Sequence, residues 1–180
     1  MTPIHYKRAT TLDELEQIRT LQIQNTSQYT SSEEQLQEGF VTVQHTVALL
    51  EQMNSACAHI IAKDNDSVVG FALVMLSLFR NEIKVLIPMF ERIDKLVADH
   101  KTYVVMGQIC VAKNYRRQGL FRGLYHFYKT ELQHQFDYLI TEVAAINPRS
   151  MQAHEAAGFK IIATYEEDGI VWNIIAWDWT

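Results

Sequence analysis

The densest concentration of chemistry-capable residues is Ile109-Cys110-Val111-Ala112-Lys113-Asn114-Tyr115-Arg116-Arg117-Gln118-Gly119-Leu120-Phe121-Arg122-Gly123-Leu124. An apolar, strand-like run enters a short basic turn, and the turn opens an amphipathic helix. Unpaired amides at a helix start carry partial positive charge and form a site for phosphate or pyrophosphate. Gly119 lets the backbone come close to such a ligand, and Arg116, Arg117 and Arg122 surround it with positive charge. Taken alone, the segment reads equally well as a solvated basic loop. No Gly-Lys-Ser/Thr follows, so it is not a Walker loop, and the first two glycines of a dinucleotide fingerprint are missing.

The elements around this turn follow from periodicity. Residues 4–9 read as a strand, and Thr11-Leu12-Asp13-Glu14 is a capping-box pattern opening a helix that carries Leu15, Ile18 and Leu21. A second helix is expected from Ser31 or Ser32, interrupted at Gly39-Phe40, and a further one over 45–53. Strands over 58–62 and 67–78 join at Asp64-Asn65-Asp66. A helix over 83–97 holds Pro88 in its first turn or breaks there. A strand follows over 103–111, with Gly107 suggesting a bulge. A helix is expected over 117–135, with Leu120, Leu124, Phe127, Tyr128 and Leu132 facing the core. A strand over 138–143, a short helix over 148–157 ended by Gly158, and a hairpin of 160–165 with 170–177 complete the chain. This alternation indicates an α/β or α+β fold, a sheet covered by helices on both faces.

With 16 basic and 21 acidic residues, the net charge of −5 argues against nucleic-acid binding. It suits an amine or cationic partner without selecting one. The two cysteines, Cys57 and Cys110, lie far apart in apolar runs, and no histidine or cysteine spacing suggests a metal site. Two reduced thiols and no leader-like start fit a cytoplasmic protein. The longest apolar run, 68–79, is too short to span a membrane. Without linkers or repeats, residues 1–180 are expected to form one domain. The apolar strand over 171–177 offers an edge on which a second copy could pair, giving a homodimer.

With its flanks, the basic turn resembles motif A of the GCN5-related N-acetyltransferases. Ile109-Cys110-Val111 matches the strand end and Arg116-x-x-Gly119 the turn, while Phe121 replaces the final small residue. Motif B is similar as well. Thr141-Glu142-Val143 matches its strand, Asn147 its asparagine, and His154-Glu155-Ala156-Ala157-Gly158-Phe159 its helix end. The resemblance implies an acyl-CoA N-acyltransferase fold with a mixed central sheet, and acetyl-CoA as co-substrate. It implies that Ile109, Cys110 and Val111 bind pantetheine by strand-like pairing. It further implies that Arg116, Arg117, Gln118, Gly119, Leu120, Phe121 and Arg122 hold the pyrophosphate, and that Asn147 contacts the cofactor.

The implied reaction is direct attack of an amine, of a small molecule or a protein, on the thioester. Glu142 stands where some members carry a general base, and is otherwise a strand carboxylate in solvent or in a salt bridge. His154 replaces a tyrosine that often protonates the departing thiolate; otherwise it is a histidine near a helix end. Glu33, Glu34, Gln35 and Glu38 make a mild case for a cationic acceptor. The rival reading is a non-catalytic acyl-CoA-binding sensor or interaction module with the same fold, kept open by Phe121 and the missing tyrosine.

Overall fold

The structure, a computed structural model, describes residues 3–26 and 43–180. The helix expected from Ser31 or Ser32, with its acidic residues and the Gly39-Phe40 break, lies outside them. Seven strands are present among the described residues: β1 His5–Arg8, β2 Ile60–Asp64, β3 Ser67–Met75, β4 Tyr103–Val111, β5 Tyr138–Ala144, β6 Lys160–Glu167 and β7 Ile170–Asp178. The α-helices are α1 Leu12–Gln24, α2 Val47–Ala56, α3 Ile87–Leu96, α4 Leu120–Leu132 and α5 Pro148–Ala157. The hydrogen-bonded strand order is β1-β2-β3-β4-β5-β7-β6. The sheet is mixed, because β4 and β5 run parallel while β1 with β2, β2 with β3, β5 with β7 and β6 with β7 run antiparallel. Two compact units divide the chain: Met1–Val74 with Gly107–Glu131, and Met75–Met106 with Leu132–Thr180.

In the first unit, α1 begins where the sequence places it. Thr11 accepts from the Glu14 amide, and the Glu14 carboxylate reaches back to the Thr11 amide. Glu14 is also buried, 3% exposed, and binds Lys7 at 2.7 Å and Lys63 at 3.2 Å. Burial alone would raise its pKa, but the two ammonium groups and the Thr10 amide hold it at about 2. The β2–β3 turn places Asn65 at φ 51°, a left-handed conformation that asparagine tolerates. The face of α4 within this unit buries Leu120, Leu124, Tyr125 and Tyr128. Phe127 is only half-buried and stacks on Tyr6, while Tyr125, absent from the expected core face, is buried. A Cβ on Gly123 would come within 2.0 Å of the Tyr6 hydroxyl, so the packing of β1 against α4 requires glycine there.

In the second unit, Pro88 lies in the first turn of α3, where a missing amide hydrogen costs nothing. Met89, Phe90 and Ile93 of that helix are buried, as are Leu139, Ile140, Ile174 and Ile175 on the strands. Burying such side chains contributes roughly 1.5–3 kcal/mol each. Asn147 caps α5 by accepting from the Ser150 amide at 3.0 Å, and Gly158 ends it at φ 116°. The β4–β5 register ends at Val105↔Ile140, just ahead of Gly107. The C-terminal hairpin is longer than expected, and its strand order corrects one expectation. β7 lies between β5 and β6 and pairs with both, so 171–177 is not an edge on which a second copy can add. The edge strand at that end is β6.

Candidate active site

The glycine-containing turn of residues 116–119 belongs to the first unit. β4 leads into a tight 3₁₀ turn over Lys113–Tyr115, pinned by the Tyr115 hydroxyl donating to Asp64 at 2.7 Å. Arg117 at φ 62° and Gly119 at φ 83° are both left-handed, so the helix cannot begin at Arg117 as the sequence suggests; it begins at Leu120. The amides of Leu120, Phe121 and Arg122 are therefore the first-turn donors of α4. The next bond, from the Gly123 amide to the Gly119 carbonyl at 3.0 Å, closes the first turn. Among the described residues, nothing lies within 4 Å of where a Gly119 Cβ would stand. Glycine thus meets the φ requirement and leaves open space over the amides, which fits an anionic group held there.

The side chains of this turn divide their work. Arg116 Nε donates to the Val111 carbonyl at 3.2 Å, and its terminal nitrogen donates to Asn25 Oδ1 at 2.5 Å. The guanidinium expected to face pyrophosphate is therefore engaged in holding the turn to the end of α1. Gln118 donates to the Asn114 carbonyl. The Phe121 ring lies edge-on to Tyr125, 5.1 Å between centroids, so the bulk that replaces the family's small residue packs along its own helix. Arg122 is exposed. On β4, Ile109 and Val111 are half-buried and Cys110 is buried. Burial pushes the Cys110 thiol up to about 12, so it holds its proton and is no nucleophile near neutrality. Beside it, Gln108 accepts from Gln22 at 2.6 Å and donates to the Val43 carbonyl at 2.9 Å.

The candidate proton-handling residues belong to the second unit. Glu142 on β5 pairs with Ile174, and Tyr165 on β6 with Trp172, so both point to one face of the sheet across β7. The Tyr165 hydroxyl donates to Glu142 Oε2 at 2.5 Å. The Arg92 guanidinium of α3 lies over the Tyr165 ring, 3.9 Å from its centroid. Burial raises the Glu142 pKa to about 7, against the opposing pulls of the Tyr165 hydrogen bond and the Arg92 charge. A carboxyl half-ionised near neutrality matches the requirement for a general base. Burial and the neighbouring carboxylate also keep the Tyr165 phenol protonated far beyond neutrality.

His154 is placed differently. It is 2% exposed, its ring edge-on to Phe159, with Nδ1–H donated to the Ser150 carbonyl at 2.7 Å. Burial lowers its pKa to about 4, so near neutrality it is neutral, not the imidazolium that thiolate protonation requires. Asn147 commits its side-chain oxygen to the α5 cap. Sequence reasoning missed Tyr165 and Arg92. The alternation of β6 places Tyr165 on the face of Ala163 and Glu167, but only the β5-β7-β6 order, invisible in the sequence, brings it to Glu142.

Comparison with known proteins now decides the family. The model of the Acetyltransferase (GNAT) family matches residues 15–159. The chain belongs to the GNAT acetyltransferase family. Three solved structures share its fold. The NatC complex bound to Gag peptide and CoA aligns with a TM-score of 0.71, 14% identity and 100% of both chains covered. The ribosomal-protein-S18-alanine N-acetyltransferase from Escherichia coli aligns at 0.67 and 15% identity, covering 99% of this chain and 95% of that one. An N-acetyltransferase from Staphylococcus aureus Mu50 aligns at 0.64 and 16% identity, covering 99% and 100%. No curated protein sequence matches the chain. Among the described residues, no helix is long and apolar enough to cross a membrane, and no His, Cys, Asp or Glu group could hold a metal ion.

Proposed function

We propose that this GNAT protein transfers an acetyl group from acetyl-CoA to an amine of a small molecule or protein, by direct attack. The observation that carries the proposal is the turn at Gly119, with its left-handed backbone, open space and first-turn amides of α4. In this reading the amides of Leu120, Phe121 and Arg122 bind the pyrophosphate, with Arg117, Gln118 and Gly119 shaping the loop. Arg116 holds that loop in place. The backbone of Ile109, Cys110 and Val111 pairs with the pantetheine amides, and Asn147 is a cofactor contact that the family resemblance implies. Bound acetyl-CoA supplies the activated acyl group as a thioester.

Glu142 takes the proton from the incoming ammonium, directly or through a water, because its carboxyl is half-ionised where amines still carry a proton. Tyr165, hydrogen-bonded to Glu142, is the donor we assign to the leaving thiolate, and the proton that Glu142 has taken from the amine replaces the one Tyr165 gives up. His154 then serves packing of the α5 end. Cys57 and Cys110 are free thiols, which supports a cytoplasmic setting. Near-complete coverage of both chains in the structural alignments supports one acetyltransferase domain over 1–180.

The test is thiol release from acetyl-CoA across a panel of amines: polyamines, aminoglycosides, lysine and amino-terminal peptides. Amine-dependent release that falls with Glu142→Gln is the expected result. Saturable acetyl-CoA binding with no release from any amine would instead identify a binding module.

A further inference from the structure

Arg92 occupies a position that nothing in the acetyl-transfer reading accounts for. It leaves the middle of α3 and places its guanidinium carbon over the Tyr165 ring, 3.9 Å from the centroid. One terminal nitrogen donates to the Pro88 carbonyl at 2.8 Å and the other to Glu167 at 3.4 Å. The guanidinium plane is thus fixed from two sides, by its own helix and by β6. Beneath it, Tyr165 donates to Glu142 at 2.5 Å. A chain of contacts runs from α3 through Tyr165 to the carboxyl on β5, all inside one compact unit.

Such an arrangement does two physical things. Stacking on a planar cation fixes the tilt of the phenol, and with it the direction of the O–H bond toward Glu142. The cation also favours the ionised carboxylate, opposing burial. The charged and titratable groups facing the pair are Arg92 from α3 and Glu167 and Tyr165 from β6, with Glu142 itself on β5. Arg92 is the one cation among them. Its own exposure of 32% shows that it is not needed to fill the core.

We propose that Arg92 is a positioning residue for acetyl transfer, clamping Tyr165 through its ring and acting on Glu142 through its charge. The proposal rests on the reading of Glu142 as the base. It predicts that charge and planarity act separately, which two substitutions resolve. Arg92→Met removes both, and Arg92→Lys keeps the charge but cannot stack as a plane.

Two measurements test it on the full chain. The first is NMR titration of the Glu142 carboxyl with carbon-13-labelled glutamate, assigned by its loss in Glu142→Gln, and needs no substrate. The second is the pH profile of kcat/KM by thiol release with the best amine of the panel. Arg92→Met should move the Glu142 midpoint upward by about one unit, lowering kcat/KM near neutrality by ~5–10-fold with recovery at high pH. Arg92→Lys should keep the midpoint near that of the unsubstituted protein yet lower the high-pH plateau ~3–10-fold, because Tyr165 loses its clamp. An unmoved Glu142 midpoint in folded Arg92→Met, or an unchanged plateau in Arg92→Lys, would overturn the proposal. Should Arg92→Met not fold, the Arg92→Lys plateau decides alone. If Glu142→Gln keeps full turnover, the base assignment has failed, while the titration still reports whether Arg92 acts on Glu142.

Discussion

Glu142→Gln should stabilise the protein above neutral pH while disabling it. The Glu142 carboxyl has its pKa raised from 4.5 to about 7, chiefly by burial. A raised carboxyl pKa means that the folded state binds a proton more tightly than the unfolded chain. The resulting stability is complete below about 4.5, is lost as pH rises toward 7, and stays lost above it. The difference of about 2.5 units corresponds to roughly 3 kcal/mol of cost for holding the ionised group in place. Glutamine has the same shape, cannot ionise, and still accepts the Tyr165 hydroxyl. The variant should therefore match the parent protein near pH 4 and exceed it by up to ~3 kcal/mol near pH 8 in urea unfolding. Its kcat for amine-dependent thiol release should fall by ~10²–10⁴ near neutrality, and by less at high pH where amines deprotonate unaided. A stability difference that does not change with pH, or a variant weaker than the parent near pH 8, would refute the assignment of Glu142 as a carboxyl held partly protonated by burial.

Gly123→Ala should cost ~1–3 kcal/mol through its clash with Tyr6, and Tyr6→Leu in the same chain should recover most of the loss in a double-mutant cycle read by urea unfolding. Arg116→Gln should lower stability by ~1–3 kcal/mol through its lost bonds to Val111 and Asn25, while calorimetric affinity for acetyl-CoA changes by less than about fivefold. A large affinity loss at unchanged stability would return Arg116 to the pyrophosphate. His45, His59 and His154 are buried with pKa values lowered to about 4, 3 and 4, mainly by burial. The unfolded chain protonates these histidines first, so stability should fall as pH drops from 6.5 toward those values. His59→Gln should flatten that slope by about one proton in urea-midpoint measurements.

Local signals were legible in the sequence wherever local physics fixes structure. The capping box at Thr11 and Glu14, the turn at Asn65, strand β4 and helix α5 with its Gly158 end fall where patterning puts them. Their causes are hydrogen bonds and backbone preferences within a few residues. The α4 start was misplaced because Arg117 adopts a left-handed conformation that basic residues rarely take, and no pattern marks it. Motif spacing singled out the Gly119 turn and Glu142 as candidates. It did not carry the contacts of Arg116 and His154, because both are engaged by groups a motif does not name: a carbonyl with Asn25 in one case, Ser150 and Phe159 in the other. Tyr165 and Arg92 were invisible for a topological reason. Hairpin strands normally add in sequence order at a sheet edge, whereas here β7 inserts beside β5 and leaves β6 outside, carrying Tyr165 over to Glu142.

The most direct test of the account is calorimetric titration of acetyl-CoA into the protein and into Gly119→Glu. The account predicts one saturable site in the parent chain. It predicts none in the variant, where a carboxylate would stand in the open space over the first-turn amides of α4 and a left-handed backbone would carry a side chain. Near-ultraviolet circular dichroism shows whether the variant keeps its fold. No binding heat in the parent protein at millimolar acetyl-CoA, or equal affinity in a folded Gly119→Glu variant, would contradict it.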